Sequence, residues 1–216
     1  MIFDVDGTLV DSNDAHAAAW HDVLTEFGIE RDFAAIRRLI GMGGDKLLPK
    51  LTGISVDSED GQRIVERRGR RFRQAYLRDL RPFPGVRDLL VRIAGDGFRL
   101  GVASSSKKDE LDALLDVAGV RDLIERATSS DDVGASKPDP DALHAAMKKL
   151  RASPETATMV GDTPYDVEAA ARARVPVIAL RSGGWSDADL AGARAIFDDP
   201  RDVLAHYAPA LFGAAS

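Results

Sequence analysis

The segment Met1-Ile-Phe-Asp-Val-Asp-Gly-Thr-Leu-Val-Asp11 carries the strongest structural signal in the chain. Ile2 and Phe3 begin a short apolar run, which predicts a buried strand. Asp4 interrupts this run and Asp6 follows two residues later, so two carboxylates stand at the end of the strand. Burial of an unpaired carboxylate is costly, so the pair indicates a bound cation or a reaction, or else two aspartates that cap a turn. Motifs in the rest of the chain decide between these interpretations.

A long helical segment follows, from about residue 13 to residue 80. Trp20, Leu24 and Phe27 recur at the spacing of one helix face. Asp32 is a candidate N-cap for a short second helix that reaches Ile40. A longer helix is expected from residue 57 or 58 onward. The whole segment therefore lies between the first strand and the next one.

The later part of the chain alternates strands with helices. Strands are predicted at residues 98–103, 123–127, 158–160, 175–180 and 195–197, with helices between them and a short helix that starts at Asp187. Such alternation indicates a parallel sheet with right-handed crossovers. Sheets of this kind bind ligands beyond the carboxyl ends of their strands. Asp4, Ser104 and Asp162 each follow a predicted strand, so we expect them to meet at one crevice.

Composition excludes several classes of function. The 216 residues contain no cysteine, which rules out disulfides, thiolate metal sites and cysteine nucleophiles. The net charge of −6 disfavours a nucleic-acid partner. No apolar run approaches the length of a membrane span, and no basic region followed by an apolar stretch begins the chain. We therefore expect a cytoplasmic protein with no nucleic acid or membrane as partner, acting as a monomer or homodimer.

Residues at strand ends far apart in the sequence supply the chemistry. The expected crevice gathers carboxylates, an ammonium and a hydroxyl from Asp4, Asp6, Asp162, Asp166, Lys137 and Ser104. So many negative charges need a counter-cation, and oxygen ligands without histidine or cysteine indicate Mg²⁺. A cation, a lysine and the free N–H groups of a helix start suit a phosphate group. Asp4 would stay ionised as a nucleophile, and Asp6 would exchange a proton with the leaving alcohol and the attacking water.

Four motifs resemble those of the haloacid dehalogenase (HAD) superfamily: Asp4-Val-Asp6-Gly-Thr8, Ser104, Lys137 in Ser-Lys-Pro-Asp-Pro, and Gly161-Asp162 with Asp166. They occur in the order and spacing of that family, across essentially the whole chain. Asp11-Ser12, His16 and Trp20 are similar to its phosphoglycolate phosphatase and β-phosphoglucomutase-like branch. The resemblance implies an α/β fold, with a Rossmann-like three-layer core and a parallel sheet. It assigns residues 1–12 and 82–216 to this core, and residues 13–81 to an inserted all-helical cap.

The same resemblance implies roles for the strand-end residues. Asp4 would be the nucleophile and Asp6 the general acid and base, while Ser104 and Lys137 would bind phosphate and stabilise the phospho-enzyme. Mg²⁺ would be held by Asp4, the Asp6 carbonyl and Asp162. Asp166 would either bind the ion as well or contact the residues that bind it. Substrate-binding positions are expected at Gly7, Thr8, Ser105, Ser106, His16 and Gly43.

Simpler interpretations compete for some of these residues. His16 could be an ordinary residue of the inserted helices, and the Gly41–Gly44 segment a plain connection between helices. The arginines at positions 63, 67, 68, 70, 71 and 73 spread over more than one helix face. In an acidic chain, such a run is expected to be a solvated surface.

The leading hypothesis is a Mg²⁺-dependent phosphatase that hydrolyses a small phosphorylated metabolite, of the phosphoglycolate or sugar phosphate type, through an aspartyl phosphate. A β-phosphoglucomutase-like phosphomutase is the second hypothesis, because Ser12 and His16 suit it equally well. The segment Ile40–Gly44 carries no basic residue for a second phosphate, and Gly161 precedes the third motif aspartate as in phosphatases. Both features favour hydrolysis. A 2-haloacid dehalogenase, which needs no metal, is a third hypothesis, and a non-catalytic arginine-rich binding module is a fourth.

Overall fold

A six-stranded parallel sheet lies at the centre of the computed structural model, which describes residues 1–212. The strands are β1 (Ile2–Phe3), β2 (Gly101–Ala103), β3 (Arg126–Thr128), β4 (Met159–Gly161), β5 (Val177–Leu180) and β6 (Ala195–Phe197). Their order across the sheet is β3-β2-β1-β4-β5-β6, and every neighbouring pair is parallel. β1 is therefore central, between β2 and β4. The predicted α/β class and parallel sheet are confirmed.

Helices cover both faces of this sheet. One face packs against α5 (Val86–Gly95), α6 (Lys108–Ala118) and α9 (Pro200–Ala205), and the other against α7 (Asp141–Leu150) and α8 (Pro164–Ala173). Ile2 and Phe3 are adjacent in β1 and belong to the two different apolar clusters, because successive side chains of a strand point to opposite faces. The result is a sheet buried between two helical layers, as expected for a Rossmann-like core.

Residues 13–81, which follow β1, form a segment that we call the helical insertion. Its helices are α1 (Asn13–Glu26), α2 (Phe33–Arg37), α3 (Gly44–Thr52) and α4 (Glu59–Ala75). Ser58 caps α4, because its side chain accepts a hydrogen bond from Gly61 N. The insertion has an apolar cluster of its own, to which all four helices contribute and which includes Trp20, Leu24, Ile36, Leu48 and Ile64.

The insertion leaves and rejoins the sheet at one place. Asp11 N donates a hydrogen bond to Arg81 O at 3.0 Å, and Val10 forms a bridge with Pro82. Near the end of α4, Phe72 is buried in the same cluster as the sheet. The insertion is thus joined to the sheet by two adjacent chain crossings and by packing of the last turns of α4.

One predicted element is wrong. The short helix expected from Asp187 is absent, and residues 187–190 form turns. Ser186 Oγ donates to Asp189 Oδ2 at 2.6 Å, which closes a single turn. Gly192 then adopts a φ of +104°, and this left-handed conformation directs the chain toward β6 instead of extending a helix.

Within residues 1–212, no helix combines the length and the apolar character that crossing a membrane requires.

Candidate active site

The carboxyl ends of the central strands border one crevice of about 130 Å³. Asp4 directly follows β1 and lines the crevice together with Asp6 and Lys137. The opposite wall comes from the helical insertion, through His16, Trp20, Ile40, Met42 and Arg68 among others. Three of the residues that were predicted to meet at the strand ends therefore do meet there, enclosed between the sheet and the insertion.

Lys137 joins two of the predicted carboxylates. Its Nζ lies 2.7 Å from Asp4 Oδ2 and 2.8 Å from Asp166 Oδ1, and all three side chains are buried. Burial works against the ammonium form, but Asp166 and Asp4 outweigh it and hold the pKa of Lys137 above its usual range. Asp4 Oδ1 accepts a hydrogen bond from Val5 N at 2.8 Å. The carboxylate of Asp4 is therefore held from two sides, by Val5 N and by the ammonium that it shares with Asp166.

Neutral donors orient Asp162, which directly follows β4. Thr8 Oγ1 donates to Asp162 Oδ1 at 2.8 Å, and Asn13 Nδ2 donates to Asp162 Oδ2 at 2.9 Å. Burial and the neighbouring charge of Asp166 raise the pKa of Asp162 to about 7, although these hydrogen bonds act in the opposite direction. Asp162 is thus an acid whose ionised form lacks a full counter-charge within the protein.

The acidic cluster formed by Asp4, Asp162 and Asp166 fits a divalent cation. Oxygen atoms from the three carboxylates lie within 4.8 Å of one another. Burial raises the pKa of Asp4 well above its ordinary value; Lys137 opposes this rise, while Asp166 and Asp162 add to it. One ammonium cannot balance three carboxylates at this separation, and an all-oxygen ligand set suits Mg²⁺.

Asp166 is the most fully engaged member of the acidic cluster. Its Oδ2 accepts hydrogen bonds from Thr163 N at 3.0 Å and from Thr163 Oγ1 at 2.6 Å, within the capping box that begins α8. Its Oδ1 accepts from Lys137 Nζ. Both oxygens therefore already hold either the helix start or the lysine.

The Asp6 carboxylate has different neighbours from the acidic cluster. Its Oδ1 lies 2.5 Å from Ser12 Oγ and 2.6 Å from His16 Nε2, and its Oδ2 accepts from Ser106 Oγ at 3.1 Å. Burial favours the neutral acid, but His16 and the hydroxyl donors prevail and hold the pKa of Asp6 below its usual range. Asp6 is consequently a stable carboxylate in this structure.

A chain of contacts runs from Asp6 through His16 to Arg68 and Glu110. Arg68 Nη2 contacts His16 Nδ1, and Arg68 Nη1 lies 2.9 and 3.0 Å from the two oxygens of Glu110. Because a guanidinium can only donate, His16 Nδ1 must accept, so the ring proton sits on Nε2 and points at Asp6. The His16 ring also stacks on Phe72, with ring centroids 4.1 Å apart. This network therefore connects α1 and α4 of the insertion with α6 of the core.

The interpretation of the arginine run as a solvated surface is wrong for Arg68. Its side chain is 14% exposed and lines the crevice, whereas that of Arg63 is 62% exposed. The reason is its face of the helix: Ile64, Arg68 and Phe72 follow one another at intervals of four residues, on the stripe of α4 that packs inward.

The expected substrate-binding residues fall into two groups. His16, Ser105 and Ser106 line the crevice. Gly43 does not, because its backbone N donates to Ser136 Oγ at 3.1 Å and the residue packs against the segment just before Lys137. Gly43 therefore joins the insertion to the core.

Gly7, Thr8 and Ser104 lie behind the residues that line the crevice. Gly7 has a φ of +74°, and a Cβ atom there would come within 2.1 Å of Asp162 Oδ2, so only glycine permits this close approach. Ser104 Oγ accepts a hydrogen bond from Ser106 N at 3.0 Å and shapes the turn before α6. Gly7, Thr8 and Ser104 therefore do not line the crevice but contact residues of the site.

The loop before α3 is closed onto the core. Lys46 Nζ donates to Ser136 O at 2.6 Å and forms an ion pair with Asp139. Ser105 Oγ donates to Gly41 O at 3.3 Å from the other side of the crevice. Lys46, the basic residue nearest the glycine-rich loop, is therefore held away from the crevice.

Sequence reasoning missed Asn13, Arg68 and Glu110. Two weak signals were present. Asn13 is the single asparagine of the chain, and Arg68 interrupts the apolar stripe of its helix. Glu110 precedes the apolar Leu111 in the first turn of α6 and offered no comparable signal.

A family model described as haloacid dehalogenase-like hydrolase matches residues 1–180. A phosphoglycolate phosphatase of Rhodospirillum rubrum is 35% identical over 211 residues, which cover 92% of this chain and 86% of that protein. Among solved structures, a hydrolase from Pseudomonas syringae has a TM-score of 0.89 and 32% identity, and the match covers 95% of both chains. A putative β-phosphoglucomutase from Bacteroides vulgatus has a TM-score of 0.84 and 24% identity, covering 95% of this chain and 86% of that one, a likeness of fold.

Proposed function

This chain belongs to the haloacid dehalogenase-like hydrolases and is a phosphatase of that family, and we propose that it hydrolyses a small phosphate monoester of the phosphoglycolate or sugar phosphate type. We further propose that it uses Mg²⁺ and an aspartyl phosphate on Asp4. One observation carries the proposal: Lys137 Nζ lies 2.7 Å from Asp4 Oδ2, beside an acidic cluster that fits a cation. The ammonium of Lys137 together with a bound Mg²⁺ would stabilise the transfer of a phosphoryl group to the buried carboxylate of Asp4.

In this proposal residues 1–12 and 82–216 form the core domain, of which residues 213–216 lie outside the described part of the chain, and residues 13–81 form a cap that encloses the substrate. The separate apolar cluster of the insertion and its two adjacent crossings support this division. The crevice between them takes its walls from both parts. Opening of the cap would admit substrate, and closure would exclude water from the phosphoryl group.

Asp4 is the nucleophile of the proposed reaction. One of its carboxylate oxygens attacks phosphorus, the bond from phosphorus to the ester oxygen breaks, and Asp6 gives its proton to the departing alcohol. Water then attacks the phosphorus while Asp6 takes back a proton, and the bond from Asp4 to phosphorus breaks, which releases phosphate. Lys137 remains charged throughout and stabilises the phosphoryl oxygens, with Ser104 and the N-terminus of α6 nearby.

The surroundings of Asp6 suit its two proposed tasks in turn. With His16 Nε2–H and the Ser12 hydroxyl pointing at it, Asp6 is an ionised base, as the second step requires. A dianionic substrate beside it would raise the pKa of Asp6, because a like charge disfavours ionisation, and so would allow it to carry the proton for the first step.

Asp4, Asp162 and the backbone carbonyl of Asp6 are the proposed Mg²⁺ ligands. When bound, Mg²⁺ would neutralise charge on the phosphoryl oxygens and on the cluster. Asp166 is better suited to hold Lys137 in place, because its Oδ1 accepts from Lys137 Nζ and its Oδ2 already accepts two hydrogen bonds. Asp162 has free lone pairs despite its two hydrogen bonds, since each carboxylate oxygen can accept twice.

A phosphomutase is the second candidate, favoured by the cationic Arg68 on the cap wall of the crevice. A mutase needs a cap cation for its second phosphate. Against it, Arg68 is already paired with Glu110, and Lys46 is paired with Asp139. The test supplies β-glucose 1-phosphate with a trace of the bisphosphate. Glucose 6-phosphate that accumulates faster than free phosphate would overturn the hydrolase proposal.

Phosphate release by the full chain from 2-phosphoglycolate and from a panel of sugar phosphates tests the leading proposal. We expect activity with Mg²⁺ and also with Mn²⁺, inhibition by the larger Ca²⁺, and no turnover in EDTA. Full activity after exhaustive chelation would contradict the proposed metal. Chloride release from a 2-haloacid under the same conditions would instead support the dehalogenase hypothesis.

A further inference from the structure

Asn13 occupies an unusual position for a polar residue. It is the first residue of α1, only 2% exposed, and its Nδ2 donates to Asp162 Oδ2 at 2.9 Å. A carboxylate that binds a cation is ionised and can only accept, so in the metal-bound site the amide nitrogen faces Asp162. The remaining atom, Asn13 Oδ1, is buried and has no hydrogen-bond partner among residues 1–212.

An acceptor left unpaired in the interior needs an explanation. Such a group destabilises the fold, and in native proteins it is usually satisfied by water or an ion. Helix capping does not explain Asn13, because it lies inside α1 and the N-cap position belongs to Ser12. Packing does not explain it either, since an apolar side chain would fill the same space without a buried carbonyl.

The contact with Asp162 is also tightly enclosed. A Cβ atom at Gly7 would lie 2.1 Å from both Asn13 Nδ2 and Asp162 Oδ2, so the two groups meet where no further atom fits. Together with Thr8 Oγ1, the amide occupies one lone pair on each oxygen of Asp162. These two donors hold the Asp162 carboxylate in place beside Asp4 and Asp166.

We infer that Asn13 is a positioning residue for the cation: its amide N–H orients Asp162, and its unpaired Oδ1 accepts a hydrogen from a water on the cation. This inference rests on the proposed Mg²⁺ site. Mg²⁺ usually keeps several of its waters, and these waters are hydrogen donors, which is what Oδ1 lacks. Partners that orient a metal-binding carboxylate typically change metal affinity about 10- to 100-fold when they are removed.

Mn²⁺ binding to the full chain, measured without substrate by the paramagnetic resonance of free Mn²⁺, tests the inference. Asn13→Leu keeps nearly the same shape and removes both hydrogen-bonding groups, so we expect its affinity for Mn²⁺ to fall about 10- to 100-fold. Asn13→Ala provides a second variant if the leucine disturbs folding. Thr128→Val is the matched control, because Thr128 is also buried with an unpaired side-chain oxygen but is not a member of the acidic cluster. We expect it to bind Mn²⁺ as the unmodified chain does.

Activity gives a second readout that a purely structural role would not produce. A higher Mg²⁺ concentration should restore much of the turnover of Asn13→Leu, because this variant binds the cation more weakly but keeps all of its catalytic side chains. Equal Mn²⁺ affinity in the unmodified chain, Asn13→Leu and Asn13→Ala would overturn the inference and leave the phosphatase proposal standing. An unmodified chain that binds no Mn²⁺ and releases no phosphate would refute the proposed function itself.

A crystal structure with Mg²⁺ provides an independent check. We expect a metal-bound water within hydrogen-bond distance of Asn13 Oδ1. A Mg²⁺ site whose waters all turn away from Asn13 would contradict the inference, whatever the affinities.

Discussion

Asp6 and Asp162 are two largely buried acids near Asp4, and their surroundings act on them in opposite directions. Asp6 faces the ring N–H of His16 and the hydroxyls of Ser12 and Ser106, which hold its pKa below the usual range. Burial and the charge of Asp166 raise the pKa of Asp162 to about 7. Burial acts to raise the pKa of both acids, so burial alone does not decide whether an acid is charged. The neighbouring charges and hydrogen-bond donors decide it.

The hydrogen-bond partners of Asp6 and of Asp162 also come from different parts of the chain. The region around Asp6 is built across the crevice, because His16 belongs to α1 and is itself held by Arg68 of α4. The region around Asp162 belongs mainly to the sheet edge, with Asn13 as its contact from the insertion. Movement of the insertion would therefore change the neighbours of Asp6 more than those of the acidic cluster.

The largest expected loss of turnover comes from substitution of Asp4, the proposed nucleophile, which lies near both Asp6 and Asp162. Asp4→Asn keeps the shape of the side chain but removes the nucleophile, so turnover should fall about 10³-fold or more. Steady-state phosphate release measures the loss, and an unchanged unfolding transition would show that the fold is intact. Near-native activity would refute the proposed mechanism.

Asp6→Asn should separate the acid–base step from phosphoryl transfer. The amide keeps the contacts of the region around Asp6 in part but cannot carry the proton, so departure of the alcohol and hydrolysis should slow about 10²- to 10⁴-fold. Single-turnover experiments with labelled phosphate measure whether some phospho-enzyme still forms. If Asp162→Asn gave the same kinetic signature, the two acids would not have the distinct tasks assigned here.

Neighbouring arginines on α4 test how strongly the insertion is tied to the core. Arg68→Met removes one partner of a nearly buried ion pair with Glu110 and leaves that carboxylate uncompensated, which should lower the free energy of unfolding by about 3 kcal/mol. Arg67→Met is the matched control, since Arg67 pairs with Glu26 at the exposed surface, and it should cause little change. Chemical denaturation of both variants measures the difference. Equal stabilities would mean that Glu110 finds another partner.

The last expected effect is a pH dependence of the metal-free protein. Because the folded-state pKa of Asp162 is raised to about 7 from an ordinary 3.8, the folded chain binds a proton that the unfolded chain has lost. This contribution to stability is present at low pH and is lost as the pH rises toward and through about 7. Asp6 has the opposite sign, since its lowered pKa stabilises the fold above the ordinary value and ceases to do so as the pH falls.

Thermal unfolding in EDTA across this pH range measures both slopes. Asp162→Asn should reduce the loss on the alkaline side, to which Asp4 also contributes because its pKa is raised too. Asp6→Asn should flatten the loss on the acid side. Addition of Mg²⁺ to the unmodified chain should also remove the alkaline loss, because a cation favours ionised carboxylates. An unchanged alkaline slope in Asp162→Asn would contradict the assignment of that titration.

Much of the sheet and part of the site could be predicted, because each rests on a local pattern. Apolar runs that end in Asp4, Ser104 and Asp162 are readable as strands, and parallel strands bring their carboxyl ends to one edge. The helix expected at Asp187 failed because Gly192, with its left-handed backbone, ends the helical geometry after one turn. A pattern indicates where a helix can start more reliably than whether it continues.

The amino-acid sequence by itself determined the order of strands and helices along the chain, the carboxylates at the strand ends and the lysine expected beside them. Only the tertiary structure decided which donors face each acid. Asn13 reaches Asp162 across 149 residues of chain, and Arg68 reaches Glu110 across 42. Such pairs depend on how the insertion packs against the core, and no local periodicity records that packing. The physical reason is that strand and helix signals arise between neighbours in sequence, whereas the charge of a buried group depends on whatever lies next to it in space.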